Sequence, residues 1–174
     1  CSTCSSGTWR SDCCGQAEDS IIPGYIGMEA GQAAFGDIYS WYRRLLMWPV
    51  KELACQMGMA GKEKEQYIAM MQKELINKLC QDAMNLEDEG DLIVLDWFNG
   101  RRYPMINESV KGAVSGLTLG TSAVSLFRSI VLSTVFGSRR IFDSFITRGI
   151  KIDEVITVGG IAKRSPLVMQ MMAD

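Results

Sequence analysis

Asp153-Glu154-Val155-Ile156-Thr157-Val158-Gly159-Gly160-Ile161-Ala162-Lys163-Arg164-Ser165-Pro166 decides how the rest of the chain is read. The run from Asp153 to Val158 moves into continuous apolar residues and predicts a short buried strand. Gly159-Gly160 lets the backbone turn sharply and approach a ligand with no Cβ in the way. Ser165 is a favoured N-cap, and Pro166 suits the first helical position, where a missing N–H costs nothing. The pattern is strand, Gly-Gly turn, helix. In an open α/β sheet it presents free amides at the carboxyl end of a strand, where anionic ligands bind. A nucleotide phosphate site is the functional reading, and a plain tight turn is the structural one. The chain carries no Walker loop. Gly58-Met59-Ala60-Gly61-Lys62-Glu63 has too few residues between its glycines and a glutamate where Ser or Thr should hold magnesium.

Upstream, Leu126 to Ile146 predicts a long amphipathic helix. Leu126, Phe127, Ile130, Val131, Val135, Phe142, Phe145 and Ile146 are placed on the core side, and Gly149 ends the helix. Long helix, strand, turn and helix together make an α/β fold. Asp91 to Phe98 reads as another buried strand, closed by Asn99-Gly100. Arg101-Arg102 follow in a loop, where a guanidinium pair either clamps a phosphate or makes structural contacts. Gly112, Gly116 and Gly120 recur every four residues, but Thr118, Thr121 and Ser122 mark a loop-bearing segment. Lys62 to Leu86 predicts an amphipathic helix with Ile68, Met71, Leu75, Leu79 and Ala83 on one face. Ile38, Trp41, Tyr42, Leu45 and Leu46 recur at helical spacing behind Asp37, a candidate cap, until Pro49 interrupts.

Composition narrows the chemistry. The 174 residues suit one domain, and 47% hydrophobic with 22% charged residues is ordinary for a soluble globular protein. A net charge of -2 argues against nucleic acid as a partner. The uncharged stretch from Gly112 to Phe127 is too short and too rich in Ser and Thr to span a membrane. With no signal-peptide pattern at the start, a cytoplasmic location is expected. There is no histidine, so His-based dyads and metal sites are excluded and proton transfer falls to other groups. Cys1 and Cys4 form a CxxC, but the adjacent pair Cys13-Cys14 lacks the two-residue spacing of common zinc knuckles, so no metal site is assigned. Cys55 and Cys80 sit in helical patterns and read as small core residues.

Several stretches together resemble the C-terminal domain of the FGGY carbohydrate kinases, the ribulokinase branch most closely. They are Ser2-Thr3-Cys4, then Pro23-Gly24-Tyr25-Ile26-Gly27-Met28-Glu29-Ala30-Gly31-Gln32 running on to Trp41. With them go Leu95-Asp96-Trp97-Phe98-Asn99-Gly100-Arg101-Arg102, the Gly112–Gly120 segment with its following helix, and Gly159-Gly160 with Ser165-Pro166-Leu167. The resemblance implies an actin-like ATPase (ribonuclease H-like) domain, a mixed sheet flanked by helices, one of two domains closing over a cleft. It implies phosphoryl transfer from ATP with Mg2+ to a sugar, L-ribulose in the first place, in arabinose catabolism. Xylulose, glycerol or another polyol, or a non-catalytic nucleotide-binding module, are the alternatives.

By that similarity Ser2 and Thr3 would lie near the β- and γ-phosphates, and Gly120 and Val124 would line the nucleotide pocket. Gly159, Gly160, Arg164 and Ser165 would hold the α-phosphate and adenosine, and Glu29 would face the sugar. The family's general base is an aspartate upstream of this domain, so no catalytic residue is assigned within residues 1–174. Residues 1–174 are expected to form one domain, a fragment without the N-terminal sugar-binding domain and the closing C-terminal helices, and inactive alone. Its partners would be that N-terminal domain and the sugar, with a homodimer left open. Leu132 departs from the family pattern, standing where an acidic residue is usual.

Overall fold

The computed structural model describes residues 15–18, 23, 26–54, 56, 58–59, 61–87 and 92–174. The expectations for Ser2, Thr3, the cysteines at 1, 4, 13 and 14, and Cys55 fall outside the described residues. Strand β1 (Gly15–Glu18) pairs antiparallel with β2 (Ile26–Glu29), with Gly15 opposite Glu29 and Glu18 opposite Ile26. Helix α1 (Gly36–Leu46), the short α2 (Trp48–Leu53) and the long α3 (Gly61–Met84) follow. A second hairpin pairs β3 (Ile93–Leu95) antiparallel with β4 (Ala113–Ser115), Val94 opposite Val114. The chain closes with α4 (Ala123–Thr147), α5 (Gly160–Arg164) and α6 (Pro166–Ala173).

Helix α4 is the hub, packing against α1, α3, α6 and β3. Its start is fixed locally. The Ser125 N–H donates to Ser122 Oγ at 3.0 Å, and the Ser122 N–H donates back to Ser125 Oγ at 2.9 Å. This reciprocal cap satisfies two amides that the first turn leaves open. It also starts the helix at Ala123, before the apolar pattern begins. Phe127, Ile130 and Val131 are at most 1% exposed and form the centre of the core with Ile38, Tyr42 and Val168. Burying each such side chain contributes roughly 1.5–3 kcal/mol. Thr134 is fully buried yet satisfied: its hydroxyl donates to the Val131 carbonyl at 2.8 Å and accepts from the Tyr39 hydroxyl at 2.6 Å.

Helix α3 lies where the sequence places it, with Leu79, Cys80 and Ala83 buried. Pro49 stands in the first turn of α2, just beyond the Met47 break that ends α1. Ser165 caps α6, accepting from the Val168 N–H at 3.4 Å, with Pro166 in the first turn.

Four expectations are corrected. Residues 153–158 form no strand among the described residues; the run has no regular structure and is exposed, with Val158 84% accessible. An apolar run becomes a strand only where a ladder partner lies alongside it, and none of the described residues does. Among the described residues, the strand expected over 91–98 is regular only at 93–95, and it is buried on one face, through Val94, while Ile93 is 68% exposed. Asp37 does not cap α1: the helix begins at Gly36 with Phe35 at the N-cap, so the carboxylate sits inside the first turn, where it favours the dipole. Ile146 is 54% exposed, and Ile141 and Ser144 are the buried residues of that last part of α4.

Candidate functional site

The turn after β2 is held from below. Gln32 Nε2 donates to Asp96 Oδ2 at 3.0 Å and to the Thr134 carbonyl at 2.9 Å, while Ser138 Oγ donates to Gln32 Oε1 at 2.9 Å. Three distant pieces of chain, the β2–α1 turn, the end of β3 and the middle of α4, therefore meet in one polar node. The node needs Gly137. A Cβ there would overlap Gln32 Nε2 and come within 2.5 Å of Asp96 Oδ2. Glycine inside a helix ordinarily costs about 0.5–1 kcal/mol relative to alanine; here it makes room for the amide and the carboxylate.

Burial of Asp96 pushes its carboxyl above the usual range, and the Gln32 hydrogen bond opposes that in part. The folded state holds a proton that the unfolded state has released, so stability contributed at this group falls as pH rises past the ordinary carboxylate value. Arg101, Arg102 and Arg140 line the same cavity of about 290 Å³. Asp96→Asn keeps an acceptor for Gln32 and removes the titration. Urea unfolding at pH 4 to 7 is expected to show a flatter stability profile for this variant than for the wild type; identical slopes would contradict the assignment.

The node borders the cavity of about 290 Å³, and two further cavities adjoin that one through shared lining residues. Glu29 is exposed at the end of β2 and lines one of about 630 Å³, together with Arg101, Arg102 and Lys111. Arg101 is engaged structurally, its guanidinium 4.9 Å from the Trp97 ring centre and its Nε donating to the Met105 carbonyl at 3.1 Å. This cavity shares Gly31, Gly100 and both arginines with the one that holds Asp96. On the other side of β3, Gly120 lines a space of about 570 Å³ with Thr118, Thr121, Arg128 and Leu132. Ser133 and Phe136 separate that space from the Asp96 cavity, since both border each.

The remaining sequence-derived residues lie elsewhere. Val124, in the first turn of α4, packs against the core and does not border the Gly120 cavity. Gly159 has φ +107, a conformation that side chains rarely adopt, and stands immediately before α5. Gly160 opens α5 in free space, with nothing within 4 Å of a built Cβ. Arg164 ends α5, exposed. The Ser165 hydroxyl is occupied by capping and by Cys80 Sγ at 3.5 Å, and burial holds the Cys80 thiol above its ordinary pKa. Sequence reasoning missed the roles of Gln32, Asp96 and Gly137. The available signal was the glycine inside a strong helical pattern, which marks a close approach. Among the described residues no three carboxylates and thiols gather around one point, and no helix is long and apolar enough to cross a membrane.

Comparison with known proteins supplies the relationship. The profile of the FGGY family of carbohydrate kinases, C-terminal domain, matches residues 12–174. A ribulokinase of Vibrio parahaemolyticus is 41% identical over 162 residues, covering 92% of this chain and 28% of its own length. A ribulokinase of Anoxybacillus flavithermus is 37% identical over 162 residues, 92% of this chain and 26% of that protein. The chain thus spans about a quarter of the length of the curated relatives it matches. Its fold is that of the crystal structure of xylulose kinase from Rhodospirillum rubrum, with a TM-score of 0.66 at 20% identity over 88% of this chain and 26% of that one. The expected α/β, actin-like ATPase fold of the FGGY sugar kinases is therefore the one observed.

Proposed function

The chain belongs to the FGGY family of carbohydrate kinases, as its C-terminal domain, and from that premise we propose that it is the nucleotide-binding half of an ATP-dependent L-ribulose kinase. The observation that carries the substrate is the 41% identity to a ribulokinase over 92% of the chain. The other half of the enzyme would bring the rest of the sugar site and the aspartate that takes the proton from the attacking hydroxyl. Such a division fits a chain without histidine. Positioning and charge neutralisation then accomplish most of the phosphoryl transfer, with magnesium arriving on the triphosphate.

The nucleotide side comprises the Gly120 cavity and the exposed corner at Gly159-Gly160, and Ser2 and Thr3 are proposed to contribute to it by the family resemblance. Arg164 lies one turn further on, Ser165 caps α6 directly after it, and Val124 packs in the first turn of α4 beside the Gly120 segment. The sugar side is the cavity of Glu29, whose carboxylate accepts from a sugar hydroxyl. Glu29→Ala is expected to raise the KM for sugar about tenfold, the effect of losing one hydrogen bond to a charged group, with the KM for ATP changed less. The reverse order in steady-state kinetics would refute that placement.

The function itself is tested with the full-length enzyme. Phosphotransfer from Mg-ATP is measured on L-ribulose, D-ribulose, D-xylulose and glycerol. The highest kcat/KM on L-ribulose is the expected result. A preference for xylulose or glycerol would move the assignment within the family, and no transfer to any of them would overturn the kinase reading. A cytoplasmic location follows from the same reading, since pentose catabolism draws on intracellular ATP.

A further inference from the structure

We propose that Gln32 is a positioning residue, which anchors the turn behind Glu29 to helix α4 and thereby fixes where the Glu29 carboxylate stands at the sugar. The proposal rests on the reading of Glu29 given above. Gln32 follows Glu29 by three residues, and its side-chain amide uses both donor hydrogens and its acceptor: toward Asp96 at 3.0 Å, toward the Thr134 carbonyl at 2.9 Å, and from Ser138 at 2.9 Å. Such a fully engaged amide, held between the buried Thr134 of α4 and the end of β3, cannot change rotamer without breaking several bonds at once. Between anchor and carboxylate lies only Ala30-Gly31, and Gly31 borders both the Glu29 cavity and the Asp96 cavity.

The turn cannot be held by β2 alone. Among the described residues that strand has one partner, β1, and its last residue, Glu29, faces Gly15 at the end of the ladder. Beyond this point, Gln32 and the Asn99 side chain, whose Nδ2 donates to the Ala33 carbonyl at 3.3 Å, tie the segment to the rest of the domain. Gly137 completes the device by leaving room for the Gln32 amide beside Asp96. The same anchor has a second consequence. Its α4 residues, Thr134 and Ser138, interleave with Ser133 and Phe136, which border the Gly120 cavity, so the helix that bounds the nucleotide side also holds the sugar-side turn.

The test is a double-mutant cycle in the full-length enzyme. Gln32→Met keeps the length of the side chain and removes its hydrogen bonds, and a rise in sugar KM of about fivefold is expected, with ATP KM altered less than about twofold. If Gln32 acts through Glu29, the same substitution has no further effect on sugar KM in the Glu29→Ala background, whereas a merely structural role stays additive. Ser138→Ala, which removes one bond to Gln32 Oε1 and leaves the amide donors in place, is the milder probe. It should raise sugar KM about twofold in the wild type and not at all beside Glu29→Ala, and it decides the matter if Gln32→Met fails to fold. Additive effects of these substitutions beside an effective Glu29→Ala would overturn the positioning role alone. An unchanged sugar KM in Glu29→Ala itself would overturn the sugar-side reading, and the positioning role with it.

Discussion

Replacing Phe127 with alanine is expected to destabilise the domain by about 3–5 kcal/mol, the usual range for deleting a fully buried aromatic ring. Phe127 is 1% exposed at the crossing of α1 and α4. Its ring centre lies 5.9 Å from that of Tyr39 in an edge-to-face arrangement and 6.0 Å from that of Tyr42 in a stacked one. The cavity left behind would border two tyrosines whose positions are fixed elsewhere. Tyr39 bonds Thr134, and the Tyr42 hydroxyl donates to the Ala123 carbonyl at 2.9 Å. Those bonds limit how far the site can collapse, which places the cost toward the upper end of the range. A loss of that size is a large part of the roughly 5–15 kcal/mol that stabilises a typical domain. Ile146→Ala is the matching control. Ile146 belongs to the same apolar pattern but is 54% exposed, so its removal is expected to stay within about 0.5 kcal/mol. Thermal and urea unfolding of both variants check this, and equal losses would show that the face of α4 is wrongly assigned.

The second large effect concerns ATP. Gly160→Val places a branched side chain over a corner whose amides are proposed to meet phosphate oxygens. Losing two charge-assisted hydrogen bonds at about 1.5 kcal/mol each corresponds to roughly a hundredfold rise in the KM for ATP. Gly160 is the clean position for this test. A Cβ built there meets nothing within 4 Å, so the variant should melt with the wild type. Gly159, with φ +107, would confuse backbone strain with ligand loss. Unchanged ATP affinity in a folded Gly160→Val enzyme would remove the corner from the nucleotide site.

Legibility in the sequence followed the range of the forces involved. Helix α3, the first half of α4, the break before Pro49 and the Ser165-Pro166 start of α6 were readable, because periodicity and caps are properties of a few neighbouring residues. The second half of α4 was not. Phe136, Ile141, Phe142, Phe145 and Ile146 surround the helix, so hydrophobicity could not choose a face there, and packing buried Ile141 and Ser144 instead. The segment 153–158 has the composition of a strand, but a strand is completed only by its neighbour, and the sequence of one strand does not contain that neighbour. At the candidate site, Glu29 and the Gly-Gly corner could be named because they lie in short recognisable runs. The node beneath Glu29 could not. Its members are 64 and 102 residues apart in the chain, and only the folded topology brings Gln32, Asp96 and Thr134 together.

The most direct measurement is a crystal structure of the full-length enzyme with a non-hydrolysable ATP analogue and magnesium. The triphosphate is predicted to lie within hydrogen-bond distance of the Gly159 and Gly160 amides, with its nucleoside toward α6. A ligand bound on the Glu29 side of the domain, or away from both, would contradict the assignment of this domain as the nucleotide-binding half.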